Sequence, residues 1–318
     1  MQISVASSSL VSIPIIDAIL NSSHSLASII STPDSKSGRG LKLSPNELAA
    51  WAEGSDLPVS KPADNSELNR HLLSAQPQLI VTVAYGKIIP VELLHGPRFG
   101  WLNLHFSILP RWRGAAPVQW ALLSGDEEVG ITIFKLDKGV DTGPIFYQEK
   151  TLVGELERTP DLLARLSVMG GDAIISVVDS ITKATKPTLQ PMQGVTLAPK
   201  ITKEMGAVNW RMPIINILEQ DRAIGDKPGI WTLFRGERLL IHSLSLASSP
   251  SLFSSDRSKP FLESAGRIFI AEEELLVQCA DGFLKIGEVT PAGKKRMKAK
   301  DFIRGARFDE QESFTYSA

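Results

Sequence analysis

The feature that most restricts how this chain can fold is an alternation running through residues 1 to about 180, where short apolar runs give way in turn to segments of helical spacing. Ile3 to Ala6, Leu26 to Ser31, Leu79 to Tyr85 and Trp101 to Phe106 read as buried strands, and helix starts such as Ser44-Pro45 and Asp64 fall between them. Strand and helix in strict alternation predict an α/β fold with a doubly wound, Rossmann-like parallel sheet. Thr159 to Ser180 closes the series as a long helix, with Leu162, Leu163, Leu166 and Met169 on one face to cover the sheet. The first strand is not followed by GxGxxG, so a dinucleotide is not the expected ligand.

The pattern then changes. Residues 181–205 are rich in Thr, Lys, Pro and Gln with weak periodicity, as linkers are. Residues 206–318 are mostly strands: Ile230 to Phe234, Leu239 to Leu246, Arg267 to Ala271, Leu275 to Ala280 and Phe283 to Glu288. With turns at Arg235-Gly236 and Asp281-Gly282 and a polar loop from Ser248 to Ser258, they predict a small Greek-key β-barrel of the OB type, which often binds nucleic acid. The expected organisation is a catalytic domain over 1–180, a linker, and this barrel.

Charge and cysteine content narrow the classes. Cys279 is the single cysteine and the five histidines are scattered, so neither an intrachain disulfide nor a metal site is expected. No apolar run approaches the ~20 residues that cross a bilayer, and the N-terminus lacks the basic region and apolar core of a signal peptide, so the expectation is a cytoplasmic protein without membrane contact. Of the 34 basic and 35 acidic residues, 16 and 19 precede Lys200 while 18 and 16 follow from it, too even for a general polyanion binder. Locally, however, Lys294, Lys295, Arg296, Lys298 and Lys300 form a dense run, with Lys200 and Lys203 at the linker. Alone such a run is a solvated face; beside an OB-like barrel it points to phosphate contact.

The chemistry concentrates between Trp101 and Gly143. Asn103 and His105 are one residue apart on a strand and so leave by the same face, and SILPRWRGAAP breaks the strand at the carboxyl end where open α/β sheets bind ligands. Val129 to Asp137 is a second β-branched run, followed by GVDTG, a turn presenting Asp141. Singly, a strand histidine is a core residue and an Asp beside Gly is a turn former. Together they supply an oxyanion donor, an acid/base group and the carboxylate that orients it. No Ser or Cys nucleophile has a base beside it. LIVTVAYGKIIP runs into a Tyr-Gly turn at a second strand end, where Tyr85 and Gly86 can wall the ligand site.

The stretch NLHFSILPRWRGAAPVQWAL, followed by GVDTGPIF, closely resembles the formyltransferase family that uses 10-formyltetrahydrofolate, and LAPKITKEMGAVNW and TPAGKKRMKAKDFIRG extend the resemblance into the second half. The resemblance implies a catalytic trio of Asn103, His105 and Asp141, and a folate-contacting turn of Ser107, Ile108, Leu109 and Pro110. Phe106 stands where many relatives carry Gly or Ala, and Ser7, Ser8 and Ser9 where they usually carry Gly-Thr-Pro. Gly38, Arg39, Gly40 and Lys42 match the basic loop that in tRNA-acting members reaches toward the acceptor end, and small-molecule members lack it. The implied reaction moves the formyl group of 10-formyltetrahydrofolate to the α-amino group of methionine on initiator tRNA, by a monomeric enzyme with Arg39, Lys42, Lys200, Lys203, Lys294, Lys295, Arg296 and Lys298 toward tRNA. Transfer to glycinamide ribonucleotide or a sugar nucleotide, hydrolysis of the formylfolate, and a nucleic-acid-binding protein with a disused folate site are the alternatives.

Overall fold

The computed structural model describes residues 1–37, 42–247, 264–309 and 311–316. Two compact units are present, one made of Met1–Val118, Glu127–Val153 and Asp161–Lys200, the other of Gln119–Asp126, Gly154–Pro160 and Ile201–Ala318.

The first unit is built on a seven-stranded sheet in the order Ile145–Leu152, Glu128–Lys135, Trp101–His105, Leu79–Thr82, Gln2–Ala6, Ser25–Ile30, Val59–Ser60. From Trp101–His105 to Val59–Ser60 every neighbouring pair is parallel. The other two strands are antiparallel, so the sheet is mixed and Trp101–His105 has one neighbour of each kind. Ile145–Leu152 gives no strand signal in the sequence because it is an edge strand, half of it charged or polar and turned to solvent.

Helices cover both faces. On one, Gly170 of the helix Thr159–Thr182 lies against Leu104, and Gly171 against Pro14 of the helix Ile13–Leu20. Small residues let these backbones approach closely. On the other, Leu68 and Leu72 of the helix Asn65–Ala75 pack with Ala6, Ile30, Ile80 and Trp101. Trp101, Asn103 and His105 point to this second face, since alternate strand residues share a side. The chain winds outward from Gln2–Ala6 to Val59–Ser60 and then restarts on the other side with Leu79–Thr82, which puts the switch point at the loops after residues 6 and 82. Ser8 Oγ joins those loops by donating to the Ala84 carbonyl at 3.1 Å.

The stretch read as a linker differs from expectation. Residues 188–198 pack onto the first unit: Thr188 pairs with Ile145, and Leu197–Ala198 forms a two-residue strand beside Arg113–Gly114. These are backbone bonds, which composition and periodicity do not report.

In the second unit an antiparallel sheet runs Ile230–Phe234, Glu237–Leu246, Phe283–Pro291, Glu274–Gln278, Ile268–Ala271. Among the described strands, Glu237–Leu246 pairs with Phe283–Pro291 and not with Ile268–Ala271, the Greek-key arrangement. The C-terminal residues close the ring, Thr315 bridging Leu233 and Ser313 bridging Arg267. Trp210, Phe234, Phe302, Phe308 and Phe314 fill the aromatic core. Arg158 is locked to the nearly buried Asp221 at 2.8 Å and to Asp226 at 2.8 Å, tying Gly154–Pro160 to this unit. No helix among the described residues is long and apolar enough to cross a membrane.

Candidate active site

A cleft of ≈ 470 Å³ opens at the switch point of the first unit, a size suited to a small organic ligand. Its walls come from residues 82–89, 103–106, 114–117 and 136–141, and so from three strand ends and the loops that leave them. Asn103, His105 and Asp141 all line it.

Asn103 owes its orientation to the neighbouring strand, where Thr82 is its register partner. Thr82 Oγ1 lies 2.7 Å from Asn103 Oδ1 and 3.0 Å from the Leu102 carbonyl, so one hydroxyl proton is shared between two acceptors. With the amide oxygen occupied, Nδ2 is the end of the side chain left for a ligand.

His105 is held differently from the way a triad holds its histidine. Nε2 lies 2.8 Å from the Trp112 carbonyl oxygen. A carbonyl only accepts, so Nε2 carries the proton and Nδ1 is the bare nitrogen of the neutral ring. Asp141 Oδ2 stands 3.8 Å from Nδ1, too far for a hydrogen bond but close for a charge, and is itself bound by the Gly114 N–H at 2.7 Å. The Phe134 ring meets the imidazole edge-on, with centroids 6.4 Å apart. The ring is therefore sandwiched between a fixed acceptor and a fixed anion.

Both partners of His105 sit on strained backbone. Trp112 and Asp141 have φ of 62° and 52°, the left-handed region that costs a non-glycine residue ~1–3 kcal/mol. Gly114, with φ of 128°, is needed for a second reason: a Cβ there would stand 2.5 Å from the Ala198 carbonyl oxygen.

Tyr85 and Gly86 line the cleft. The Tyr85 hydroxyl is buried with no hydrogen-bond partner among the described residues, and burial pushes its pKa up to about 12, so it stays neutral. Phe106, 7% exposed, also forms part of the wall. Ser107, Ile108, Leu109 and Pro110 do not line it. Their turn is tied inward: Ser107 Oγ donates to the Arg111 carbonyl at 2.6 Å, and Thr132 Oγ1 donates to the Ser107 carbonyl and accepts the Leu109 N–H. Gln148 Nε2 adds a bond to the Leu109 carbonyl at 2.8 Å. This turn backs the cleft without facing it, because its polar groups are spent on the strands behind.

Gly38, Arg39 and Gly40 lie outside the described residues, while Lys42 is exposed in the short strand Lys42–Ser44. Lys200, Lys203, Lys294, Lys295, Lys298 and Lys300 are all exposed. Arg296 differs from its neighbours, since Glu288 takes its Nε–H at 2.6 Å and neutralises much of its charge. Among the described residues no group of three or more His, Cys, Asp or Glu could hold a metal ion. Thr82, the Trp112 carbonyl, the Gly114 N–H and Gln190 are the site contributors that the sequence did not single out. The Trp112 carbonyl and the Gly114 N–H are backbone groups that every residue type carries, and the side chains of Thr82 and Gln190 reach the site only through strand register and long-range packing.

A mixed α/β sheet with an Asn, a His and an Asp at its switch point and an antiparallel barrel after it matches two family models in succession, "Formyl transferase" over residues 1–178 and "Formyl transferase, C-terminal domain" over residues 200–307. The chain belongs to the formyl transferase family. Among its relatives, the methionyl-tRNA formyltransferase of Salinispora tropica is 38% identical over 312 residues, covering 96% of this chain and 97% of that protein. The methionyl-tRNA formyltransferase of Thermobifida fusca is 35% identical over 311 residues, covering 96% of each. In fold alone the chain is similar to HypX from Aquifex aeolicus, with a TM-score of 0.67 at 15% identity; the match covers all of this chain but about half (51%) of HypX.

Proposed function

We propose that this formyltransferase carries the formyl group of 10-formyltetrahydrofolate to the α-amino group of methionine esterified to initiator tRNA. The observation that carries the reading is the bare Nδ1 of His105, 3.8 Å from the carboxylate of Asp141, in one cleft with the free amide end of Asn103. That arrangement suits acyl transfer to an amine, which requires a base for the amine proton and a donor for the developing oxyanion. The folate supplies a formyl carbon bonded to a nitrogen. The cleft has the size for such a ligand, with Tyr85 and Gly86 among its walls.

Asn103 Nδ2 donates to the formyl oxygen as charge develops on it. His105 accepts the proton of the attacking amine at Nδ1, and Asp141 stabilises the resulting imidazolium. His105 then returns that proton to the folate nitrogen as its bond to the formyl carbon breaks, so the N-formylated amine and tetrahydrofolate leave with no covalent enzyme intermediate. In its neutral form His105 cannot also donate to the oxyanion from Nδ1, so Asn103 holds that role alone until the proton has moved.

The exposed lysines of the 294–300 run, on the second unit, suit phosphate contact, and the likeness to methionyl-tRNA formyltransferases across the whole chain favours tRNA over a small amine as the acceptor. Incubating the protein and 10-formyltetrahydrofolate with methionyl initiator tRNA, free methionine, or an amino-sugar nucleotide tests this. Formylmethionyl-tRNA formed far faster than either other product is the expected result; equal or faster formylation of the amino sugar refutes it.

A further inference from the structure

The segment 188–198 reaches both partners of His105. Gln190 Nε2 donates to the carbonyl oxygens of Asp141, at 2.9 Å, and Gly143, at 2.8 Å. Its Oε1 accepts from Arg113, at 2.6 Å from Nη2 and 3.2 Å from Nε. A guanidinium only donates and carbonyls only accept, so the amide has one possible orientation and every group on it is used. Six residues on, Thr196 Oγ1 accepts the Trp112 N–H at 2.8 Å, and the Thr196 carbonyl accepts the Arg113 N–H at 2.9 Å.

These contacts fall on the strained positions. Trp112 and Asp141 are the two left-handed residues that touch or face the imidazole, and each is bonded by a side chain from this one segment. A left-handed non-glycine residue relaxes unless its surroundings hold it. Relaxation of Trp112 would turn its carbonyl away from Nε2 and free the ring tautomer; relaxation of Asp141 would carry its carboxylate away from Nδ1.

We infer that residues 188–198 are a strap that positions His105 for catalysis, Gln190 by holding Asp141 and Thr196 by holding Trp112. Neither residue touches the reacting atoms. This rests on the reading of His105 as the base, and one variant separates the two: His105→Ala must be nearly inactive for that reading to stand.

The test measures kcat, KM for folate and for tRNA, and melting temperature in Gln190→Ala, Gln190→Glu, Thr196→Val and Thr196→Ser. Gln190→Glu keeps an acceptor for Arg113 but sets a carboxylate against two carbonyl oxygens, so it isolates the hold on Asp141. Gln190→Ala, Gln190→Glu and Thr196→Val should each lower kcat by about 10- to 100-fold, the scale of a small misplacement of a catalytic group. Both KM values should change by less than about threefold, because the cleft is intact. Thr196→Ser, which keeps the acceptor oxygen, should recover most of the lost rate. A wild-type kcat in Gln190→Glu or Thr196→Val, alongside a dead His105→Ala, would overturn the strap while leaving the catalytic reading in place. So would a loss in Thr196→Ser equal to that in Thr196→Val, or a kcat loss matched by the fraction unfolded.

Discussion

Replacing Asp141 by Asn separates the charge of this residue from its hydrogen bonding. Oδ2 accepts the Gly114 N–H at 2.7 Å, and an amide oxygen can accept the same bond, so the turn should persist. What disappears is a negative charge 3.8 Å from His105 Nδ1. At an effective dielectric of ~20, opposite unit charges at this separation attract by about 4 kcal/mol. The side chains are 6% and 15% exposed, so solvent returns little of this. Each ~1.4 kcal/mol of transition-state stabilisation is tenfold in rate, so complete loss would slow a fully formed imidazolium by about 10³-fold. Proton transfer is partial in the transition state, and a fall in kcat of about 10²-fold is the expected floor. Initial rates of formylmethionyl-tRNA formation at saturating substrates, taken beside a thermal melt of the same preparation, make the measurement. A folded Asp141→Asn protein within tenfold of wild type would refute the electrostatic role and leave Asp141 a turn residue.

Thr82→Val keeps the strand but frees Asn103 to rotate; kcat should fall toward the ~10²-fold loss expected of Asn103→Ala, which removes an oxyanion donor outright, and a Thr82→Val enzyme at full rate would show that Asn103 needs no orienting partner. Lys294→Ala with Lys295→Ala should raise KM for tRNA and flatten its salt dependence by nearly one unit of log–log slope per lost phosphate contact, with kcat at saturating tRNA preserved; unchanged salt slopes would make the run a solvated face. Burial holds the His71 pKa below its ordinary 6.5. The fold therefore favours the neutral ring, so its contribution to stability is present above pH 6.5 and is lost as pH falls through the lowered folded value. His71→Gln, which can still bond Ser28, should flatten the decline in melting temperature below pH 6.5, and an unchanged decline would place the responsible group elsewhere.

Much of this protein is legible without coordinates. Alternating runs over residues 1–180 mark a wound sheet because a strand buried on both faces must be apolar along its length, and Leu79–Thr82 is fully buried. Asn103 and His105 fall on one face because the strand repeat is two. Asp141 stands out only in company, because an Asp in a glycine-rich turn is by itself a turn former and gains its meaning from the Asn and His before it. The long helix Thr159–Thr182 is visible for the same kind of reason, a one-sided apolar stripe.

What tertiary structure alone decided is how those residues are held. Local sequence does not reveal that the Trp112 carbonyl, and not Asp141, sets the His105 tautomer, because that bond spans a turn whose left-handed residue is a tryptophan. Nor does it reveal that Gln190, in a stretch with the composition of a linker, holds the Asp141 turn from 49 positions away. The inward set of Ser107 to Pro110 depends on Thr132 and Gln148 of two neighbouring strands, and closure of the barrel depends on single bridges from residues 313 and 315. The periodicities that identify elements report burial, which is written along the chain in every residue. Backbone hydrogen bonds between distant segments are made by groups that every residue possesses, so only the folded arrangement selects which of them meet.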